Sequence, residues 1–121
     1  MMPARILIVE DSPLVTDAFR VLFTEAGYEV DAAATVAEAI ERGTAEPVDL
    51  MLLDLSLPDG SGLEILTALR ERNSLPRATL AMTGHNDSRS RRSCIDAGCV
   101  DVLVKPVPIS ELLRQIERHL A

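Results

Sequence analysis

Strand-like and helix-like segments alternate along this chain from end to end, and that alternation builds parallel sheets through helical crossovers. Ile6 to Val9 is a continuous β-rich apolar run. Pro13, after Ser12, opens a helix whose apolar residues Leu14, Val15, Ala18, Phe19 and Leu22 recur at helical spacing until Gly27 stops it. Tyr28 to Ala33 is a weaker strand, and Thr35 caps a short helix through Arg42 that Gly43 is expected to end. Val48 to Asp54 is the third strand. Leu63, Ile65, Leu66 and Leu69 mark a helix ending near Asn73, before Pro76. Ala78 to Met82 is the fourth strand and Val100 to Val104 the fifth, separated by a polar helix from Asn86 to Ala97 with Asp87 or Ser88 as its cap. That helix carries Arg89, Arg91 and Arg92 and few large apolar residues, so it is expected to be the least firmly packed. Ile109, Leu112, Leu113, Ile116 and Leu120 form the inner face of the last helix.

Five such pairs predict an α/β fold: a doubly wound, flavodoxin-like (βα)5 sandwich of three layers, with a five-stranded parallel sheet in the order 2-1-3-4-5. The 121 residues leave no room for a second domain, and 47% hydrophobic content suffices for a core. A formal charge of −7 opposes non-specific contact with nucleic acid or an anionic membrane. Cys94 and Cys99 have neither metal-site spacing nor a disulfide framework and are expected as small core fillers in a reducing compartment. No apolar stretch reaches membrane-spanning length, and Met1 to Arg5 lack a signal-peptide profile, so the expected location is cytoplasmic.

The strand ends carry the chemistry. Glu10 and Asp11 follow the first strand, Asp54 ends the third, Thr83 follows the fourth and Lys105-Pro106 the fifth. Ligands in open α/β sheets bind outside the carboxyl ends of the strands at the switch in strand order, where Glu10, Asp11 and Asp54 meet. Three carboxylates held together call for a cation, and oxygen-only ligands with room for water suit Mg²⁺. Asp54 can then attack a phosphoryl group whose oxygens are neutralised by the metal, Lys105 and the Thr83 hydroxyl. Pro106 restricts the preceding bond, with the cis form open to it, and would fix where the ammonium points. Each element has a plainer reading by itself: Asp11 or Ser12 as a helix cap, Asp54 as a cap or ion-pair partner, Thr83-Gly84 as a loop start, Lys105-Pro106 as surface. All four at successive strand ends favour a shared site. A phosphate-cradling loop is absent, since neither G-x-G-x-x-G nor a Walker A pattern follows the first strand.

The motifs Ile8-Val9-Glu10-Asp11-Ser12, Leu53-Asp54-Leu55-Ser56-Leu57-Pro58-Asp59-Gly60-Ser61-Gly62, Met82-Thr83-Gly84 and Asp96-Ala97-Gly98 leading to Leu103-Val104-Lys105-Pro106 resemble those of response-regulator receiver domains of two-component systems. The resemblance covers residues 1–121. It implies phosphorylation of Asp54 from a histidine of a sensor kinase or phosphotransfer protein, and switching that controls a downstream protein target. It further implies Mg²⁺, replaceable by Mn²⁺, on Asp11, Asp54 and the backbone carbonyl of Ser56, with Glu10 as the second acidic position. Thr83 and Lys105 would stabilise the phosphoryl group, Gly84 would leave access to it, and Ser56 and His85 would flank it and influence its loss to water. The domain is expected to promote its own phosphorylation and dephosphorylation without being an enzyme, to touch neither nucleic acid nor membrane, and to be a monomer or weak dimer.

Three departures stand out. Val102 occupies the position where the family often has an aromatic switch residue, Val107 replaces an aromatic after Lys-Pro, and Val100-Asp101 stands for the Asp-Asp pair used in symmetric pairing. The stretch Arg91 to Gly98 looks more like receivers of hybrid kinases and phosphorelays than those fused to DNA-binding domains. With no output domain in these residues, a free-standing receiver and a fragment of a larger regulator are both open. Pro58-Asp59-Gly60 is taken as a turn without chemistry, and His119 as a surface residue near a helix end. Two other classes remain: a haloacid-dehalogenase-type phosphatase, although its D-x-D pattern has serine at position 56 here, and a receiver-like interaction scaffold without phosphotransfer.

Overall fold

The computed structural model describes residues 3–84 and 88–121, without the side chain of Ser88. The strands are β1 (Arg5–Val9), β2 (Glu29–Ala33), β3 (Leu50–Asp54), β4 (Ser56–Leu57), β5 (Gly60–Ser61), β6 (Ala78–Thr83) and β7 (Asp101–Val104). The helices are α1 (Pro13–Glu25), α2 (Val36–Ala45), α3 (Leu63–Glu71), α4 (Ser88–Ala97) and α5 (Ile109–Leu120). The main sheet runs β2-β1-β3-β6-β7 with every pairing parallel. This is the expected 2-1-3-4-5 order once the short antiparallel β4–β5 hairpin, which the sequence shows only as a turn, is set apart.

Alternate residues of β1 and β3 point to opposite faces, and both faces are covered. Leu7, Val9, Met51 and Leu53 join Ala39 of α2, Ile65, Leu66 and Leu69 of α3 and Cys94 of α4. On the other side Ile6, Ile8, Leu50 and Leu52 meet Phe23 of α1 and Leu112 and Ile116 of α5. That two-sided burial is why these strands are continuous apolar runs. Each fully buried Leu or Ile contributes about 1.5–3 kcal/mol over its exposed state.

One helix boundary differs from expectation for a physical reason. Gly43 does not end α2, which continues to Ala45. It sits inside the helix because a Cβ there would approach Leu69 Cδ2 at 2.9 Å, so glycine permits α2 to lie close against α3. The third helix ends at Glu71, near Asn73 as expected; the positive φ of 54° at Asn73 follows the last turn, and Ser74 N–H bonds back to Leu69 O at 2.8 Å. The expected start of α4 at Asn86 and its Asp87 cap lie outside the described residues. Along α4, Cys94 is the buried side chain among those described, and Ile95 is exposed, which fits the light packing anticipated. Both cysteines are buried free thiols, and burial pushes Cys99 up to about 12. Among the described residues no helix is long and apolar enough to cross a membrane.

Candidate functional site

Parallel register brings the strand ends into one line. Val9 pairs with Leu53, Asp54 with Met82, and Thr83 with Val104, so the residues at or just beyond the carboxyl ends of β1, β3, β6 and β7 are neighbours. They are Glu10 with Asp11, Asp54, Thr83 and Lys105. Oxygens of Glu10, Asp11 and Asp54 all lie within 4.8 Å of one another, with Glu10 and Asp54 buried and Asp11 exposed. The anticipated acidic triad is therefore assembled, open to solvent at Asp11.

Asp54 accepts from two sides. Its Oδ2 takes the Lys105 ammonium at 3.0 Å, and its Oδ1 takes the backbone N–H of Ser56 at 3.0 Å. Lys105 Nζ also stands 3.7 Å from Glu10 Oε2, while Glu10 Oε1 accepts from Ser12 N–H at 3.2 Å. The side chains of Glu10 and Asp54 are 4% and 5% exposed but that of Lys105 is 39% exposed. The lysine thus spans from water to two sequestered carboxylates. Burial raises the Glu10 carboxyl above its ordinary value, with the Ser12 N–H opposing and the Asp54 charge adding. For Lys105, burial acts against the ammonium, but the hydrogen bond and charge of Asp54 outweigh it and raise the pKa.

Thr83 is buried at the end of β6, and its carbonyl accepts from Lys105 N–H at 2.8 Å, which joins the two strand ends. Gly84 is exposed, and among the described residues beyond its chain neighbours a Cβ on it would meet no atom within 4 Å. The Lys105-Pro106 bond is cis. Val102 is buried in the face covered by α2, α3 and α4, away from solvent. His85 lies outside the described residues. A cavity of about 750 Å³ beside the site is lined by Leu14, Phe19, Met82, Pro106, Glu10 and Lys105 among others, which gives the ammonium a second, largely apolar approach.

An oxygen-only donor set of this size fits a hard divalent cation such as Mg²⁺, and the Lys105 ammonium already supplies one positive charge to the buried carboxylates.

Two residues with a bearing on the site were not evident from sequence. Gly62 packs so closely that a Cβ would fall 2.6 Å from the Asp54 carbonyl oxygen, and its N–H bonds to Leu55 O at 3.2 Å. Asp59, taken as a turn residue, reaches across to α2, where its carboxylate accepts from Val36 N–H at 2.7 Å and Ala37 N–H at 3.2 Å. The Pro58-Asp59-Gly60 run signals the turn; nothing local signals a helix start 23 residues earlier.

Residues 6–117 match the family model described as the response regulator receiver domain. Among curated proteins, the TorCAD operon transcriptional regulatory protein TorR of Escherichia coli O157:H7 is 37% identical over 119 residues, 98% of this chain and 51% of that protein. The transcriptional regulatory protein KdpE of Mycobacterium tuberculosis (strain ATCC 25618 / H37Rv) is 33% identical over 92% of this chain and 48% of its own length. The chain spans about half the length of these relatives. Both are transcriptional regulators, so the expected closer likeness to hybrid-kinase receivers gains no support. The CheY-like receiver domain protein of Methanospirillum hungatei JF-1 superposes with a TM-score of 0.88 at 32% identity, over 98% of this chain and 94% of that one. The response regulator TrrA of Thermotoga maritima, solved with Mg²⁺ and BeF, gives 0.83 at 29% identity over 97% and 99%. With the strand order, the carboxylate cluster and the family match in agreement, this chain belongs to the response regulator receiver domains, the phosphoaccepting signalling domains of two-component systems.

Proposed function

We propose that residues 1–121 form one receiver domain in which Asp54 is the phosphoacceptor, served by Lys105 and Thr83. The observation that carries this is the setting of Asp54: a buried carboxylate at the end of the central strand, with the Lys105 ammonium at 3.0 Å and two further carboxylates beside it. Asp54 attacks the phosphorus of a phosphohistidine on a sensor kinase or phosphotransfer protein. An O–P bond forms, the N–P bond breaks with its electron pair on the imidazole, and that ring takes up a proton. Lys105 follows the phosphoryl oxygens from its place on Oδ2, the Thr83 hydroxyl donates to another oxygen, and Gly84 keeps the approach open.

Glu10, Asp11, Asp54 and the Ser56 backbone carbonyl would hold Mg²⁺, with Mn²⁺ as a substitute; when bound, the ion neutralises charge on the phosphoryl group. The Mg²⁺–BeF complex of TrrA supports this assignment. Ser56 and His85 flank the product and set how fast water removes the phosphoryl group, so the domain promotes its own phosphorylation and dephosphorylation. The setting is cytoplasmic, and the switched domain, a monomer or weak dimer, controls a partner protein without itself touching nucleic acid or membrane. The relatives' greater length and their role in transcription support a partner module in the same polypeptide.

Intact-mass measurement after incubation with a small acyl-phosphate donor and Mg²⁺ tests this. One phosphoryl adduct is expected, absent in Asp54→Asn and in excess chelator. Undiminished labelling in either would overturn the assignment; multiple turnover of phosphate esters would favour a phosphatase, and no adduct an interaction scaffold.

A further inference from the structure

Helix α2 leaves its first N–H groups without intrahelical acceptors, as every helix does. Thr35 Oγ1 accepts one, from Glu38 N–H at 3.1 Å, and Glu38 in turn accepts from Ala34 N–H at 2.8 Å. This pairing resembles a capping box, with Glu38 reaching the residue before the cap, and would serve an ordinary helix. Here Asp59 adds a second acceptor group from another part of the chain, taking Val36 N–H at 2.7 Å and Ala37 N–H at 3.2 Å. Both bonds favour the ionised carboxylate, and the Val36 N–H is the largest cause of its lowered pKa. The aspartate also sits at the positive end of the helix dipole.

The two bonds that satisfy the Val36 and Ala37 donors also act on the other side of the contact. Asp59 is at the tip of the β4–β5 hairpin, which has only the two pairs Ser56 with Ser61 and Leu57 with Gly60. A two-stranded ribbon of that size does not hold a position by itself. Its base is tied down: Leu55 N–H bonds to Met82 O at 3.2 Å and Gly62 abuts the Asp54 carbonyl. Its tip is tied by Asp59 to α2. Between these anchors lies Ser56, whose N–H holds Asp54 Oδ1 at 3.0 Å.

We infer that Asp59 is a positioning residue for the phosphoacceptor site: by clamping the hairpin tip to the start of α2, it fixes the Ser56 backbone that orients Asp54 and, on the reading proposed above, supplies a metal ligand. The residue touches neither the phosphoryl group nor the metal. Its effect is on where the Ser56 amide and carbonyl stand, and it appears as affinity for the cation and not as rate once the cation is saturating.

The test measures phosphorylation of the 121-residue chain by an acyl-phosphate donor across a Mg²⁺ titration, together with thermal unfolding. Asp59→Ala is expected to raise the Mg²⁺ concentration for half-maximal rate about tenfold, the lower end for losing a partner that orients a metal ligand. The rate at saturating Mg²⁺ should stay near wild type. Asp59→Asn, which keeps an acceptor oxygen, should recover most of the affinity. Thr35→Ala is the control, since it weakens the same helix start without touching the hairpin, and should lower the melting temperature while leaving the Mg²⁺ requirement unchanged. An unaltered Mg²⁺ requirement in Asp59→Ala, or an equal shift in Thr35→Ala, overturns the inference. Should Asp59→Ala not fold, Asp59→Asn carries the comparison, with a smaller shift expected and none overturning it. Labelling that persists in Asp54→Asn overturns the phosphoacceptor reading instead.

Discussion

Replacing Asp54 by asparagine tests the acidic cluster as a cation site, separately from phosphoryl chemistry. Three carboxylates and one ammonium give the wild-type centre a formal charge of −3 + 1 = −2, and asparagine reduces this to −1. Glu10 and Asp54 are almost fully sequestered, so water screens their repulsion poorly. A divalent ion that binds only the folded state, at about ten times its dissociation constant, stabilises by about 1.4 kcal/mol. At roughly 2.1 cal/mol/K per residue near the midpoint, the chain of 121 residues has an unfolding entropy of about 0.25 kcal/mol/K. The expected rise in melting temperature is therefore about 6 °C. In Asp54→Asn, an affinity lower by about a hundredfold leaves less than about 0.5 °C at the same Mg²⁺ concentration. The metal-free variant should melt near the wild-type temperature, because the amide oxygen still accepts from Ser56 N–H and relief of the repulsion with Glu10 offsets the lost Lys105 contact. Calorimetry with and without Mg²⁺ at matched ionic strength measures both shifts. A variant shift equal to that of wild type, or no shift in wild type, would refute the assignment of Asp54 as a ligand.

Lys105→Ala should slow phosphorylation or impair switching while the chain still unfolds cooperatively near the wild-type temperature, since the side chain is 39% exposed at the mouth of the site; a variant that merely fails to fold would remove the support for a functional role. Gly62→Ala should destabilise by about 1–3 kcal/mol, as overpacking does, because its Cβ would meet the Asp54 carbonyl at 2.6 Å and Leu53 Cδ1 at 3.1 Å; a denaturation midpoint matching wild type would contradict the close approach. The Asp59 carboxyl has a pKa below the usual 3.8, so its contribution to stability is present above that pH and lost as pH falls through the folded value; the melting-temperature gap between wild type and Asp59→Asn should be full near neutrality and close in strong acid. Thr83→Ala should shrink the spread of amide chemical-shift changes through residues 83 to 105 on adding Mg²⁺ and an acyl-phosphate mimic, and an undiminished spread would exclude the route through Thr83.

Strands β1, β3 and β6 were readable because each is buried on both faces, so Ile6 to Val9 and Leu50 to Leu53 appear as unbroken apolar runs, whereas the half-buried β2 carries the weaker signal. The site residues were readable for a related reason. A parallel sheet puts every strand's carboxyl end on one edge, so polar residues just beyond apolar runs are placed together by topology alone. What escaped were contacts that depend on distances between elements. Gly43 stands as a helix stop in one dimension, whereas its role is to admit Leu69 in three. Asp59 follows a proline and precedes a glycine, which fully accounts for it as a turn residue and conceals its grip on Val36 and Ala37. Gly62 is hidden likewise, since its constraint is the Asp54 carbonyl and not its own φ.

The route by which such a site could move the surface follows from how unequally the elements are held. The sheet strands beneath the site are buried on both faces, and displacing them would open cavities costing several kcal/mol. Helix α4 is held differently. Arg91 donates to Asp101 Oδ1 at 3.1 Å and to Val102 O at 3.4 Å, Arg70 donates to Ala97 O at 2.8 Å, and Cys94 is the buried apolar contact among its described side chains. The Arg91–Asp101 ion pair is partly exposed and contributes at most about 1 kcal/mol. On the reading proposed above, a pull on Thr83 from a phosphoryl group would meet less resistance at α4 than in the sheet. Val102 cannot take the place of a rotating ring, since it is branched at Cβ, stiff in its rotamer and buried. Movement of α4 against β7, with the Arg91 bonds to Asp101 and Val102 as its breakable tether, costs less in this packing than displacing a strand of the sheet.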